Sequence, residues 1–258
     1  MQKTEIRFDS AALPSILIPY VQGAKIFDSS CSETAQTLYL KGSVRAYLKI
    51  NQPGKLLREC KLTNFFHEHG LAPKVLAYVS ENDRDYLLTE ALDGEDGISG
   101  MHLKNPKKLA GVFGESLCLI HNLPRDGCPY QQRTSEMLQE ATANASRNNG
   151  DLNLIPEGVP KAYEMLLSLK SAAIDDVVLH GDYCLPNIIM QNYKLTGFVD
   201  LGTGGFGDRH YDLFWGIWTL QYNLKTDKYK DVFLDAYGRG YLDEDRLELC
   251  RLLAGLTE

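Results

Sequence analysis

The sequence lacks several features that would assign the chain to a specialised class of protein. No continuous run approaches the roughly 18 apolar residues that a membrane-spanning helix requires. The first ten residues, MQKTEIRFDS, do not have the charged-then-apolar layout of a secretory signal. The six cysteines are scattered, without the paired spacing of a structural metal site. We therefore predict a cytoplasmic protein with reduced thiols and no membrane partner.

An excess of positive charge is also absent. The chain has 27 Lys and Arg against 34 Asp and Glu, which gives a net charge of −7. This balance argues against a nucleic-acid partner and favours a small cationic one. The sequence contains no internal repeat and no low-complexity tract. Its 258 residues, 44% of them apolar and 24% charged, are typical of a globular protein with a sizeable core, either monomeric or homodimeric.

Apolar periodicity predicts that the first part of the chain is rich in strands. Residues 25–50 read as three strand-like runs interrupted by small polar residues. Residues 56–69 carry apolar side chains at helical spacing. Two further strand-like runs, PKVLAYVS and DYLLTEAL, are joined by the turn ENDRD. We predict a small N-terminal lobe over residues 1–90, an antiparallel sheet with one helix, and a hinge at residues 91–94.

The remainder of the chain, residues 95–258, is predicted to be mostly helical. Helical spacing recurs in six segments, and two strand-like runs, DDVV and LTGFVD, interrupt them. The helical segments are residues 106–121, 135–147, 161–171, 211–224, 227–237 and 244–253. Residues 131–171 form a helical insert within this lobe. A β-rich lobe followed by a larger helical lobe makes a two-lobed α+β protein.

A polar cluster lies between those two strand-like runs. Asp182 and Asn187 fall in LHGDYCLPNIIM, and Asp200 ends the next strand in VDLG. A polar turn can produce such letters by chance, but the flanking strands and the Asp-Leu-Gly favour a functional interpretation. The pattern H-G-D-x-x-x-x-N … D-L-G resembles the catalytic and metal loops of the kinase superfamily. An Asn amide and an Asp carboxylate from neighbouring loops suit Mg²⁺, and the first aspartate would accept the proton of a substrate hydroxyl.

The N-terminal lobe supplies an independent indication. Phosphoryl transfer needs a cation on the phosphates of the nucleotide. Lys49 lies in the strand AYLKI, and a lone strand lysine is usually a solvated surface charge. Glu59, however, lies in the next predicted helix, where an ion pair with this lysine is expected. The order Lys49, Glu59, catalytic Asp, metal Asn, metal Asp is that of the kinase superfamily.

At the level of a family, the chain resembles the aminoglycoside phosphotransferases, in particular their 3′-phosphotransferase branch. The resemblance runs from about Lys25 to about Leu253. The motifs that carry it are YLKI, PKVLAYVS, YLLTEALDG, CLIHNLPRDGCPY, VVLHGDYCLPNIIM and GFVDLGTGGFGDRHYDL. The resemblance implies a bilobal protein-kinase-like fold, a small β-rich N-lobe with a larger, mostly helical C-lobe. It also implies Mg²⁺ and ATP, with GTP as the alternative nucleotide.

Carried onto matching positions, the resemblance assigns a role to each site residue. Asp182 is the catalytic base or orienting group, Asn187 and Asp200 hold Mg²⁺, and Lys49, steadied by Glu59, contacts the α- and β-phosphates. The remaining residues implied to bind the nucleotide are Tyr47, which would stack on the adenine, the backbone of Glu90 and Leu92 at the purine edge, and Ser29, Ser30, Ser32 and Thr34 in the loop over the phosphates. This loop, SSCSET, has no G-x-G-x-x-G, and its backbone N–H groups would cap the phosphates.

The sequence departs from the family where the substrate is expected to bind. Thr203 stands where the family usually has arginine, and Gly207 where it has alanine. The family commonly ends in an acidic tail, whereas this chain ends LLAGLTE, with Ala254 and Gly255 at the expected positions of the acids. The remaining candidate contacts for a cationic substrate are Asp151, Glu157 and Glu258. Fewer carboxylates would bind a polycation more weakly, since a charged hydrogen bond contributes about 1.5–3 kcal/mol.

Three functions remain open from the sequence. The first is Mg·ATP-dependent phosphorylation of a hydroxyl of an aminoglycoside antibiotic, with the 3′-hydroxyl expected, which would confer resistance. The second is a kinase of the same fold for another small hydroxylated substrate, such as choline, an amino sugar or a macrolide. The third is a catalytically silent nucleotide-binding module, against which the complete set of five site residues argues.

Overall fold

The computed structural model describes residues 4–10, 13–31 and 35–257. The chain divides into two compact units, and the division does not follow the order of the sequence. The first unit contains the residues up to Ser99 together with Pro186–Thr203. The second contains Gly100–Leu185 and Gly204–Glu258. A short segment from the second half of the chain therefore belongs to the N-terminal unit.

The first unit is built on a six-stranded antiparallel sheet with the strand order β1-β2-β3-β4-β6-β5. Its strands are Thr4–Glu5 (β1), Lys25–Asp28 (β2), Gln36–Lys41 (β3), Arg45–Asn51 (β4), Val75–Glu81 (β5) and Arg84–Glu90 (β6). Two α-helices lie in the described part of this unit, Ile18–Val21 (α1) and Leu57–Glu68 (α2). The sheet and the longer helix confirm the expectation of a β-rich N-terminal part.

Alternation along β4 gives this sheet two apolar faces. Ala46, Leu48 and Ile50 are buried on one face, in a core that also contains Leu17 and Leu38. The intervening residues of β4 point to the other face because successive side chains of a strand alternate. On that second face a smaller cluster joins the start of α2 to β6 through Leu56, Cys60 and Leu87. The helix therefore covers the face of the sheet on which Lys49 lies.

A three-stranded sheet completes the first unit. Its strands are Glu95–Asp96 (β7), Ile188–Gln191 (β9) and Lys194–Phe198 (β10), in the order β10-β9-β7. Asn192 and Tyr193 connect β9 to β10 with φ of 52° and 62°, the backbone of a two-residue type I′ turn. A Cβ atom at Gly94 would lie 2.3 Å from the carbonyl oxygen of Met190. This close approach requires glycine just before β7.

The second unit is mostly helical, with one two-stranded sheet formed by Val177–Leu179 (β8) and Gly205–Gly207 (β11). Its helices are Gly100–Leu103 (α3), Pro106–His121 (α4), Arg133–Ser146 (α5), Val159–Leu169 (α6), His210–Leu224 (α7), Lys230–Tyr237 (α8) and Glu244–Thr257 (α9). Helix α4 packs along α8, and α9 packs against α5, α6 and α7. Within the part of the chain that the structure describes, no helix is both long enough and apolar enough to cross a membrane.

The expected α+β class is confirmed, and the bounds of individual helices differ from the sequence-based ones by a few residues. Helix α4 has the predicted bounds, and α5 begins two residues before the predicted start. The last helix was predicted to end at residue 253 and continues to Thr257. It continues because Ala254 and Leu256 are fully buried and extend its packing by one turn.

Candidate active site

Lys49 lies between two carboxylates of the first unit. It lies on β4 opposite Thr37 of β3 and Leu87 of β6. Its Nζ is 2.8 Å from Oε2 of Glu59 on α2 and 2.6 Å from Oδ1 of Asp200, which follows β10. The ion pair expected between Lys49 and Glu59 is therefore present in the structure. The same ammonium group also contacts the carboxylate that the sequence assigned to metal binding.

Burial and charge act against each other at this cluster. Burial lowers the pKa of Lys49, but the carboxylates of Glu59 and Asp200 outweigh it, and the pKa lies well above its usual range. The lysine therefore stays protonated. Burial raises the pKa of Glu59, Lys49 lowers it, and the nearby Asp200 raises it further. The pKa of Glu59 therefore lies above its usual value, because the effect of burial outweighs the attraction of the lysine.

Asn187 and Asp200 lie at the same end of the β9–β10 hairpin. Ile188 pairs with Phe198, and the N–H of Val199 donates to the carbonyl oxygen of Asn187 at 3.0 Å. The hairpin therefore places the residue before β9 beside the residues that follow β10. Asp200 has φ of 62°, in the left-handed region, and its side chain is half exposed. Asn187 and Asp200 thus lie on two neighbouring backbone segments.

This pair of oxygen ligands fits Mg²⁺. The ion keeps several waters and is usually bound by one or two carboxylates together with substrate phosphates. Among residues 4–10, 13–31 and 35–257, no group of three or more His, Cys, Asp or Glu side chains could hold a metal ion. When bound, Mg²⁺ neutralises the charge on transferring phosphates. Asn187 and Asp200 are the residues that would hold it here.

The expected adenine-binding residues lie on and beside the same strand. Tyr47 is two residues before Lys49, on the same face of β4, and its ring is 5.1 Å from that of Tyr39 on β3. Burial raises the pKa of Tyr47, and the charge of Asp96 adds to the effect. Glu90 ends β6, and its N–H donates to the carbonyl oxygen of Lys74. That hydrogen bond occupies the N–H of Glu90.

Leu92 and the residues beside it form a linker that is fixed on both sides. Arg45 pairs with the carboxylate of Asp93 and accepts the N–H of Ala91 on its carbonyl oxygen. The hydroxyl of Thr196 donates to the carbonyl oxygen of Asp93 at 2.7 Å. The backbone at Leu92 is therefore held between the larger sheet and the β9–β10 hairpin.

The loop expected over the phosphates is described only at its start. Ser29 is buried, and its N–H donates to the carbonyl oxygen of Thr37. The N–H of Ser30 donates to Asp28, and its hydroxyl accepts the N–H of Thr37 at 3.0 Å. These contacts anchor the loop to β2 and β3. The other two predicted residues, Ser32 and Thr34, lie outside the described residues.

The segment that contains Asp182 is held from below by Asp212. The N–H groups of His180 and Gly181 donate to the two oxygens of the Asp212 carboxylate at 2.7 and 2.8 Å. Asp212 lies in the first turn of α7 and is fully buried. The N–H of Asp182 donates to Nδ1 of His180 at 3.3 Å. The imidazole thus bonds within the loop, and these backbone contacts do not involve the Asp182 carboxylate.

The three residues after Asp182 are also fixed within the second unit. The Tyr183 hydroxyl donates to the carbonyl oxygen of Phe113, and the two rings stack with centroids 4.4 Å apart. The N–H of Leu185 donates to the hydroxyl of Thr219 at 3.2 Å. Burial raises the pKa of the Cys184 thiol, and the charge of Asp182 raises it further. This cysteine is therefore held as a neutral thiol.

Two of the three predicted substrate carboxylates have partners within the second unit. Glu157 accepts from Nη2 of Arg251 at 2.6 Å, so its charge is paired. Asp151 accepts from the backbone and the side-chain amide of Asn153, both at 2.8 Å. Glu258 lies outside the described residues. The position of Gly255 also has a structural reason, because a Cβ there would lie 2.5 Å from Cγ2 of Ile155.

Sequence reasoning did not identify three further polar residues beneath the Asp182 segment, His121, Tyr237 and Arg209. His121 lies between Asp212 and Tyr237, and Arg209 donates to the hydroxyl of Tyr237. The only signal in the sequence was a histidine at the end of an apolar helix. Its partners lie 91 and 116 residues away along the chain, so local spacing could not reveal them.

Comparison with known proteins agrees with this geometry. Residues 32–250 match the phosphotransferase enzyme family. A probable aminoglycoside 3′-phosphotransferase of Lactococcus lactis subsp. lactis (strain IL1403) is 39% identical over 249 residues, 95% of each chain. The crystal structure of an aminoglycoside-3′-phosphotransferase of type VIII has a TM-score of 0.76 at 21% identity, over 93% of this chain and 98% of that one.

A second solved structure extends the likeness in fold. Aminoglycoside phosphotransferase APH(3″)-Id from Streptomyces rimosus, in complex with ADP and streptomycin, has a TM-score of 0.73 at 20% identity. It matches 98% of this chain and 100% of its own. The expected kinase-like fold is thereby confirmed. With most of its length matched by the family and by a close relative, the chain belongs to the phosphotransferase enzyme family, alongside the aminoglycoside phosphotransferases, and is an enzyme that transfers a phosphoryl group to an alcohol.

Proposed function

We propose that the enzyme is an ATP- and Mg²⁺-dependent O-phosphotransferase that moves the γ-phosphoryl group of ATP to the 3′-hydroxyl of an aminoglycoside antibiotic and so inactivates it. The observation that carries the proposal is the ammonium group of Lys49 between Glu59 and Asp200, at 2.8 and 2.6 Å. Phosphoryl transfer by kinases uses a lysine of this kind together with a metal-binding aspartate.

Each side chain has a separate task in this proposal. Lys49 binds the α- and β-phosphates and is kept in place by Glu59. Asn187 and Asp200 provide the oxygen ligands for Mg²⁺. Asp182 orients the acceptor hydroxyl and takes its proton as the new P–O bond forms and the bond to the leaving ADP breaks. Catalysis is then mainly positioning and charge stabilisation, with little covalent chemistry for the protein.

The substrate class is supported by relatives and by charge. The Lactococcus relative, 39% identical, is named for the 3′-position of an aminoglycoside. The Streptomyces rimosus structure contains ADP and streptomycin, a nucleotide and an aminoglycoside. A net charge of −7 also suits a polycationic substrate, since it attracts the substrate over distances of about a Debye length.

A coupled assay that measures ADP release tests the proposal. Purified enzyme with Mg·ATP should turn over kanamycin A or neomycin, which have a 3′-hydroxyl, and should not turn over tobramycin, which lacks it. Asp182→Asn should reduce kcat by about a hundredfold or more while leaving the fold intact. Asp126→Asn, at an exposed position in the same unit, is the matched control and should behave as the wild type.

One observation favours a second candidate, a kinase for another small hydroxylated substrate such as choline, an amino sugar or a macrolide. Glu157 is paired with Arg251, and buried packing occupies Ala254 and Gly255. Fewer carboxylates are thus available to a polycation than the family pattern implies. Turnover of one of these alcohols without turnover of any aminoglycoside would replace the first proposal. Unchanged ADP release by Asp182→Asn would refute the catalytic assignment in both.

A further inference from the structure

A chain of hydrogen bonds extends from the surface of the second unit to the backbone beside Asp182. Nη1 of Arg209 lies 3.1 Å from the hydroxyl oxygen of Tyr237. That oxygen is 2.8 Å from Nδ1 of His121, whose Nε2 is 3.2 Å from Oδ2 of Asp212. Asp212 in turn accepts the two N–H groups that precede Asp182. The four side chains are therefore connected in series. Tyr237, His121 and Asp212 come from α8, α4 and α7, and Arg209 is the N-cap of α7.

The donors and acceptors of this chain fix the protonation of His121. A guanidinium has no acceptor, so Arg209 donates to the oxygen of Tyr237. Burial raises the pKa of Tyr237 above its usual value, so the phenol keeps its proton. The Tyr237 hydroxyl can then donate that proton to Nδ1 of His121. The hydrogen of the imidazole is left on Nε2, where it donates to Asp212.

The surroundings of His121 keep the imidazole neutral. Its side chain is 4% exposed, and burial lowers its pKa. The carboxylates of Asp212 and Asp176 oppose this effect, and the guanidinium of Arg209 adds to it. Cys118 of α4 donates its thiol hydrogen to the backbone carbonyl oxygen of Tyr237, at the end of α8, and not to the hydroxyl that bonds His121. The neutral Nε2–H tautomer is thus held by contacts on both ring nitrogens.

The consequence concerns the Asp212 carboxylate. It has two oxygens and three donors, two from the loop backbone and one from His121. Both oxygens must face the loop for His180 and Gly181 to be bonded at once. Without the donor on Oδ2 the carboxylate could rotate, and the backbone immediately before Asp182 would shift with it. A displacement of about 1 Å of a catalytic group can cost about a hundredfold in rate.

We propose that Tyr237 and His121 are positioning residues of the phosphotransfer reaction: the Tyr237 hydroxyl holds His121 as the Nε2–H tautomer, and His121 holds Asp212 in the rotamer that orders the Asp182 segment. The inference rests on the proposed role of Asp182. Neither residue touches a reacting atom. Their effect is on the placement of the hydroxyl-orienting carboxylate and therefore on kcat, with little effect on nucleotide binding.

The test compares Tyr237→Phe with Tyr222→Phe. Tyr222 is an exposed tyrosine of the same unit, and its loss of a hydroxyl should change nothing. Tyr237→Phe should lower kcat about tenfold and change KM for ATP by less than about twofold. The acid limb of its kcat–pH profile should move to higher pH. The neutral imidazole of His121 loses the hydrogen bond that favoured it, so the pKa of His121 rises. A defect of packing alone would not move the pH profile.

His121→Gln is the second variant, since a glutamine amide can donate to Asp212 as Nε2–H does but cannot titrate. It should keep more activity than His121→Asn, whose amide is too short, and it should abolish the shift of the acid limb when combined with Tyr237→Phe. A folded Tyr237→Phe enzyme with wild-type kcat and pH profile would overturn the proposal. Should Tyr237→Phe fail to fold, equal activities of the two His121 variants would overturn it.

Two readouts separate this proposal from the proposed function. The first readout is the rate of ATP hydrolysis without an added alcohol, in which water is the acceptor. This rate depends on the Asp182 segment and does not require the natural substrate to be known. The ¹⁵N chemical shifts of His121 report the tautomer without any turnover, and they should indicate Nε2–H in the wild type and a mixture in Tyr237→Phe. If Asp182→Asn is fully active, the proposed function fails. If Asp182→Asn is inactive while Tyr237→Phe shows neither change, the positioning role fails alone.

Discussion

The two carboxylates that contact Lys49 differ in their access to solvent. The side chain of Glu59 is 11% exposed, whereas that of Asp200 is 50% exposed. A buried carboxylate that loses its counter-ion is strongly destabilised. A carboxylate in contact with water can change its cationic partner at little cost in free energy. We therefore interpret Glu59 as the permanent partner of the lysine. Asp200 is the partner that is able to take a metal ion instead.

This difference predicts distinct outcomes for two variants. Lys49→Met removes the cation and leaves Glu59 buried without a counter-charge, so we expect a loss of about 3 kcal/mol in the free energy of unfolding. The double variant Lys49→Met/Glu59→Gln also lacks the buried, unpaired carboxylate, so it should regain most of that stability. Both proteins should lose about a hundredfold or more in kcat, because both lack the cation that we propose binds the phosphates.

Urea unfolding and the ADP-release assay measure the two effects separately. Glu59→Gln alone is the control, since it retains the cation. Equal stabilities of Lys49→Met and the double variant would contradict the role assigned to the buried pair.

Among the helices, α9 shows why a departure from a family pattern has a local physical reason. Its C-terminal turn packs against residues 150–158, where the N–H of Asp151 donates to the carbonyl oxygen of Gly255. Arg251 bonds the carbonyl oxygen of Leu154 and pairs with Glu157. At position 255 these contacts leave no room for a Cβ unless Ile155 shifts. An acidic side chain at that position would require the local packing to rearrange.

A pair of glycine substitutions tests this interpretation. Gly255→Ala places a Cβ 2.5 Å from Cγ2 of Ile155, and we expect a loss of about 1–3 kcal/mol from overpacking. Gly111→Ala, inside α4, meets nothing within 4 Å and should stabilise the protein by about 0.5–1 kcal/mol. Thermal unfolding compares the two directly. A stabilising Gly255→Ala would show that the contact can relax without cost.

For the whole molecule, sequence periodicity predicted the class of fold and the order of its longer elements, because strands and helices repeat their apolar positions with periods of about 2 and 3.6 residues. The expected contact of Lys49 with Glu59 is also present. The assignment of residues 186–203 to the first unit was not predicted. It depends on the pairing of Glu95 with Met190, and no local pattern reports a partner that distant along the chain. The Tyr237–His121–Asp212 contacts escaped prediction for the same reason.

The net charge of −7 also acts at this scale. If the acceptor is a polycation, salt should weaken its capture, because the Debye length falls from about 10 Å at 0.1 M to about 3 Å at 1 M. We expect KM for kanamycin A to rise about threefold or more between 0.05 and 0.5 M KCl, with kcat unchanged. KM for ATP, an anion, serves as the internal control. A KM for kanamycin A that does not depend on salt would contradict electrostatic capture.

The backbone conformation at Asp200 restricts which residues can occupy this position. Its φ of 62° lies in a region that costs most side chains free energy and that Gly, Asn and Asp enter most readily. Glycine would relieve the main chain but lose the carboxylate that we propose as a Mg²⁺ ligand, and glutamate would keep a carboxylate at a steric penalty. Asparagine fits the conformation but carries no charge. Two independent demands, of shape and of chemistry, therefore leave aspartate as the residue that meets both, and drift at this position should be rare.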